Sequence, residues 1–175
     1  MRWQIRGALG VLLAAGMALA VAAPPAAAAT GTETFTGVIV TSGVSGERVV
    51  VNSVVVAKGV FSGVGEIVEI PNLPSEPDNV NRDDLVFAEG TLHIVNTIVD
   101  FSFSVNPNSC RFSGRVQQTN EVVGGTGLFA AASGSFTATV TGNALLPRNP
   151  DGSCSLEQEA LHEVDRVAAS GTLSF

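Results

Sequence analysis

Along most of this chain apolar and polar residues alternate one by one in short runs, and the element that suits such a period is a strand with one packed face. SGSFTATVTG, 133–142, is the clearest case, with Phe136, Ala138 and Val140 set against Ser135, Thr137, Thr139 and Thr141. ETFTGVIV at 33–40 and ERVVVNSVVVAKGVF at 47–61 are rich in Val and Thr, whose branched side chains pack well on a pleated surface and lose freedom in a helix. DLVFAEGTLHIVN and TIVDFSFSVNP continue the pattern; the second puts Phe101, Phe103 and Val105 on a face expected to pack and Ser102 and Ser104 on a polar one. In RFSGRVQQTNEVV, 111–123, Phe112 and Val116 oppose Arg111, Arg115 and Gln117.

Two stretches break the pattern. PNLPSEPDNVNRDD, 71–84, concentrates prolines, asparagines and acids with almost nothing apolar to bury, so it is expected to be a solvated, mobile loop. SLEQEALHEVDRVAASGTLSF, 155–175, reads two ways: a short helix carrying Leu156, Ala160, Leu161 and Val164 as a stripe before a final strand at 168–175, or a strand with Leu156, Ala160 and Val164 on one face.

Roughly eight strands leave little room for helical crossovers, so the fold class is all-β and antiparallel, with that short helix near the C-terminus as the optional exception. A barrel and a two-sheet sandwich share this periodicity. Short strands with frequent glycines fit a small closed barrel, which leaves no free edge.

The first residues belong to a different pattern. Two arginines, an uncharged apolar run from Gly7 to Ala23 and an Ala-x-Ala site at Ala27, Ala28 and Ala29 form a secretory signal, since about 17 Ala/Gly-rich residues running into a cleavage region are a poor membrane anchor. The expected division is a cleaved leader, 1–29, and one domain, 30–175, secreted and without a membrane anchor. Cleavage removes Arg2 and Arg6 and leaves the domain more acidic than the formal charge of -7 for the whole chain. An acidic surface repels phosphate backbones and anionic headgroups, so nucleic acid is not an expected partner. The leader also takes the only Trp, and there is no Tyr; stacking platforms for bases or sugars are sparse.

Cys110 and Cys154 are the only thiols. An exported pair is expected to bond. Each follows an Asn-Pro turn, in NPNSC and NPDGSC, so the bond would staple two loop ends together, worth about 4 kcal/mol on the chain-entropy argument.

Catalytic signals are thin. Gly125-x-Gly127-x-x-Ala130 formally fits a dinucleotide fingerprint, but an alternating strand begins within a few residues, leaving no helix to hold pyrophosphate. Gly124, Gly125, Gly127 and Gly134 are read instead as turn and close-approach glycines, and no cofactor is expected. His93, beside Leu92 and Ile94, and His162, among Glu159, Glu163 and Asp165, would make a metal or acid–base site only if they converged; no spacing resembles a known metal motif, so the expectation is no metal. Glu89, in FAEGTLH, is the catalytic candidate: pointing into a barrel it would have a raised pKa and act as acid or base, while at a hairpin it would be solvated. Arg111 and Arg115 share a strand face, where they would receive an anionic ligand or pair with neighbouring acids.

GGTGLFAAASGSFTATVTG, 124–142, with FAEGTLH and the distal Cys, resembles a motif of secreted actinobacterial proteins related to the allene oxide cyclase-like and dirigent-like β-barrels. Leu128 stands where that motif has Arg, and Ala131 where it has Gly. The resemblance implies an eight-stranded barrel with a central cavity. It does not carry an activity, because none of the family's functional side chains aligns here. The leading expectation is a nonenzymatic structural or interaction module. The alternatives are a binder of an apolar small molecule in the barrel cavity and a cyclase- or isomerase-like enzyme acting on an unstable lipid epoxide. A tightly filled interior would suit the first, an open one the others.

Overall fold

The computed structural model describes residues 29–44 and 46–175. The expected leader lies outside them except for Ala29. Eight strands run in sequence: β1 (Thr30–Ser42), β2 (Val49–Gly59), β3 (Ser62–Ile70), β4 (Val80–Phe87), β5 (Gly90–Asn106), β6 (Arg111–Gly125), β7 (Ser133–Leu145) and β8 (His162–Ser174). Each pairs antiparallel with the next, and β1 pairs with β8 from Thr30↔Ser174 to Thr41↔Glu163, closing the sheet into a barrel. Closure resolves the choice between barrel and sandwich. The only helical turn among the described residues is a 3-10 turn at Gly127–Phe129.

Three expectations are corrected. The 47–61 run ends as a strand at Gly59, and β3, built from Ser62–Ile70, is an additional strand that sequence reading passed over; three exposed apolar residues, Val56, Val64 and Val68, line the outside of β2 and β3. The loop expected over 71–84 stops at Asn79. Val80–Asp84 belong to β4, where Arg82, Asp83 and Asp84 pair with both Val68–Ile70 and His93–Val95, so ladder bonding on two sides outweighs their poor β-propensity. The short helix does not form: 155–161 is loop, Leu156 is exposed, and His162 onward is strand paired on both sides.

A meander puts alternate loops at opposite ends. One end is plugged by aromatic rings: Phe61 meets Phe87 and Phe129 edge-on with centroids 5.0 Å apart in each case, and Phe129 meets Phe175 at 5.2 Å. Phe129, carried by the 3-10 turn, is fully buried. Two motif glycines allow that turn to seat. Gly127 has φ +58, and a Cβ on Gly125 would lie 2.2 Å from the Thr91 carbonyl. Gly124 adopts φ +130 at the end of β6, and Gly134 lies against the Thr172 carbonyl at the start of β7. Buried beside the plug, Glu33 accepts from the Phe61 amide at 2.9 Å and from its neighbour Thr34 at 3.1 Å.

The opposite end is the mouth. Cys110 and Cys154 are bonded there, with Cα atoms 5.3 Å apart, tying the β5–β6 hairpin tip to the β7–β8 loop. The hairpin overhangs the rim because β4 pairs with β5 only from Phe87↔Gly90 to Val80↔Thr97. Past Thr97 no strand among the described residues pairs with that edge of β5, and Asn79 caps its start by accepting from the Ile98 amide at 2.8 Å and donating to the Ile98 carbonyl at 3.1 Å.

Candidate functional site

The inward positions follow from the alternation. Phe35, Ile39, Val55, Ile67, Leu85, Ile94, Phe136 and Val167 enclose a cavity of about 410 Å³ between the aromatic plug and the mouth, within the size range of small-molecule sites. Glycine contributes space: Gly37 faces Val55 and Val167 in the two adjoining ladders, and the Ile67 Cδ1 lies 2.7 Å from where a Cβ on Gly37 would stand.

Toward the mouth the same wall turns polar. Glu69 and Asp83 are directly opposed on β3 and β4, two inward carboxylates side by side. Glu163 and Asp165 are successive inward positions on β8 and border the same cavity. Arg48, from the β1–β2 loop, is held over the opening by Glu69, Nη2 donating to Oε1 at 2.9 Å with a second contact from Nη1, and its Nε lies 3.8 Å from Glu163 Oε2. Thr41 Oγ1 donates to the same Glu163 oxygen at 3.4 Å.

Deeper in, three side chains on consecutive strands are linked. Asn96 Nδ2 donates to Asp83 Oδ2 at 2.6 Å, and Asn120 Nδ2 donates to Asn96 Oδ1 at 2.6 Å. Asn96 is almost wholly buried. The row ends at Asn120 Oδ1, a buried acceptor that meets no donor among the described residues, a state that costs free energy unless a guest supplies one.

Burial is the main force on the two aspartates. It pushes the Asp83 carboxyl up to about 6, with Glu69 and Asp84 adding to the effect while the Asn96 amide and Arg48 oppose it. Asp165 is also pushed up to about 6, by burial first and then by Glu163 and Glu69, against Arg48. Two carboxyls that change charge near neutrality thus border one apolar cavity.

The residues singled out from sequence lie elsewhere. Glu89 is exposed in the β4–β5 turn at the plugged end, the hairpin placement rather than the inward one. His93 points outward and its Nδ1 lies 2.7 Å from Asp84 Oδ1, whereas His162 begins β8 at the mouth end, exposed. The two do not converge, and among the described residues no group of three His, Cys, Asp or Glu side chains is placed to hold a metal ion. Arg111 and Arg115 are exposed on the outer face of β6 and do not border the cavity.

Phe101 and Phe103, expected to be packed, are each about half exposed, at 52% and 53%. A bulge between Ile98 and Asp100 shifts the parity of β5, so Phe101 pairs with Val116, a residue of the cavity wall, and lies on the face that continues the wall outward. Phe101, Phe103 and Phe112 stack there, with centroids 5.5 and 5.6 Å apart. Because the hairpin overhangs the rim, no strand among the described residues packs across from them, and they form an apolar shelf leading to the cavity.

Sequence reading missed Arg48, Glu69, Asp83, Asn96 and Asn120, and took Glu163 and Asp165 only as companions of His162. The available signal was phase: Asp83 shares the parity of Leu85 and Phe87, Asn96 that of Leu92 and Ile94, and Asn120 that of Val122. Polar residues at core positions of an otherwise regular alternation mark a lumen.

Among the described residues no helix is long and apolar enough to cross a membrane. Compared with protein-family models, with curated proteins and with solved structures, the chain matches none.

Proposed function

We propose that this protein binds a small, largely apolar molecule in its barrel lumen, with the Phe101–Phe103–Phe112 shelf as the approach. The observation that carries this reading is the cavity of about 410 Å³, open at the mouth, with its apolar walls and buried polar row. A structural barrel has no need of such a space, since small barrels are ordinarily filled by their own side chains. Export fits the same reading: the Cys110–Cys154 bond is of a kind that persists outside the reducing cytosol. The closed eight-stranded barrel likewise supports grouping the chain with the allene oxide cyclase-like and dirigent-like proteins.

The test is titration of the folded domain with a neutral apolar fluorophore, in parallel with Val140→Phe, which adds bulk to the cavity wall. Saturable binding by the native domain, weakened at least about tenfold in the variant, is expected. A native domain that does not bind, or a variant that binds equally well, would sink the proposal.

A proton-transferring isomerase is the second reading, favoured by Asp83, whose carboxyl titrates near 6 beside an apolar cavity and so suits acid–base work near neutral pH. Turnover of an unstable lipid epoxide should then depend on Asp83, and Asp83→Asn should remove it. Unchanged turnover in that variant would eliminate this reading.

A further inference from the structure

We infer that the lumen selects for an amphiphile whose apolar body ends in a protonated amine. This rests on the lumen being a binding site and deepens that reading by naming the head group. The polar wall is heavily biased in charge. Glu69, Asp83, Glu163 and Asp165 border the cavity, and of the two guanidinium groups that also border it, Arg82 is engaged by Glu76 at 2.6 Å. That leaves Arg48 alone among four carboxylates, and it is already shared between Glu69 and Glu163.

Hydrogen-bonding capacity is biased the same way. Asn96 directs its donor at Asp83 and Asn120 directs its donor at Asn96, while Asn120 Oδ1 is buried without a donor among the described residues. Asp165 accepts no side-chain hydrogen bond among the described residues, and its Oδ1 occupies the space over Gly142, 2.7 Å from where a Cβ would be. A guest lying along Phe35, Ile94 and Phe136 would bring its head group to this wall. An ammonium group supplies three donors and a positive charge, whereas a carboxylate would face like charges at short range in a partly desolvated site, where repulsion is strong. A hydroxyl supplies one donor and no charge.

The groups facing the two aspartates set the pH dependence. Asp83 is faced by Glu69 on β3, Asn96 on β5 and Arg48 from the loop, with Asp84 beside it in the strand but turned outward to His93; Asp165 is faced by Glu163, Glu69 and Arg48. Protonating both aspartates removes charge that an ammonium group would use.

The experiment displaces a neutral apolar fluorophore from the full domain with octylamine, octanol and octanoate, at about pH 7.5 and about pH 4.5. The expected order at the higher pH is octylamine, then octanol, then octanoate, with the amine at least about tenfold tighter than the alcohol, and this margin shrinking at the lower pH. Asp83→Asn/Asp165→Asn should remove the margin at the higher pH. The pH arm on the native protein decides the matter even if that variant folds poorly. Octanoate binding as tightly as octylamine, or octanol and octylamine binding equally at the higher pH, overturns the amine selectivity and leaves lumen binding standing. Displacement by none of the three, with no saturable fluorophore binding, overturns both.

Discussion

Across the β4–β5 seam Asn96 Nδ2 donates to Asp83 Oδ2 at 2.6 Å, with Asn96 almost wholly buried and the Asp83 carboxyl pushed up to about 6. The pairing joins a hydrogen bond that favours the ionised acid to a burial that opposes it, and burial prevails. Asp83 is therefore a group that the fold holds at a cost when it is charged.

A stability profile follows from that cost. The Asp83 carboxyl moves from 3.8 to about 6 on folding, so the folded chain keeps a proton that the unfolded chain has released. The stabilising contribution is fully present below the unfolded value and is lost as pH rises through about 6, amounting to at most about 3 kcal/mol. Asp165 acts in the same direction. Thermal melts should show Tm rising by several degrees between about pH 7.5 and about pH 5. At lower pH the trend reverses as Glu76 and Asp151, held below their ordinary values chiefly by hydrogen bonds from Arg82 and Ser153, become protonated. Asp83→Asn should raise Tm at neutral pH and flatten the profile; a native Tm that only falls on acidification from pH 7.5 contradicts this account.

Glu33 is predicted to matter for folding rather than for binding. Its two oxygens accept from the Phe61 and Thr34 amides inside the plugged end. Glu33→Gln turns one acceptor into a donor that faces an N–H, and should cost about 1–3 kcal/mol in urea unfolding. A midpoint unchanged from the native protein would show that these two bonds contribute nothing.

The phenylalanines should divide by position. Phe129 is fully buried among Phe61, Phe87 and Phe175, and Phe129→Ala should cost about 3–5 kcal/mol. Phe103, half exposed on the overhanging hairpin, should cost less than about 1.5 kcal/mol as Phe103→Ala, the range of its stacking contacts. Equal losses at the two positions would mean that the shelf is packed in solution.

Removing the disulfide as Cys110→Ser/Cys154→Ser should lower stability by about 2–5 kcal/mol and loosen the mouth before the plug. Amide exchange should accelerate in β5 beyond Thr97 and in 146–161, while β1 and β8 around Glu33 and Leu173 stay protected. Uniform acceleration across all strands would show that the bond supports the whole barrel instead.

The alternation made most strands legible because it is local: a residue's parity depends only on its near neighbours in sequence. It failed where local chemistry misled. Val80–Asp84 look like loop residues until β3 and β5 lie on either side of them, and the Val-rich 47–61 run drew attention away from the glycine-spaced β3 that follows it. The bulge after Ile98 also escaped local reading: it leaves the alternation of Phe101, Phe103 and Val105 intact while determining which face of the sheet they occupy.

The sequence alone determined an all-β antiparallel chain with two thiols to bond, since composition, period and cysteine count suffice for that. Tertiary structure decided closure through β1 and β8, the hollow interior, and the meeting of Arg48, Glu69, Asp83, Glu163 and Asp165 at one mouth. Those depend on which strands pair and in what register. Pairing joins residues far apart in the chain, and a period of two reads the same whichever partner a strand finds.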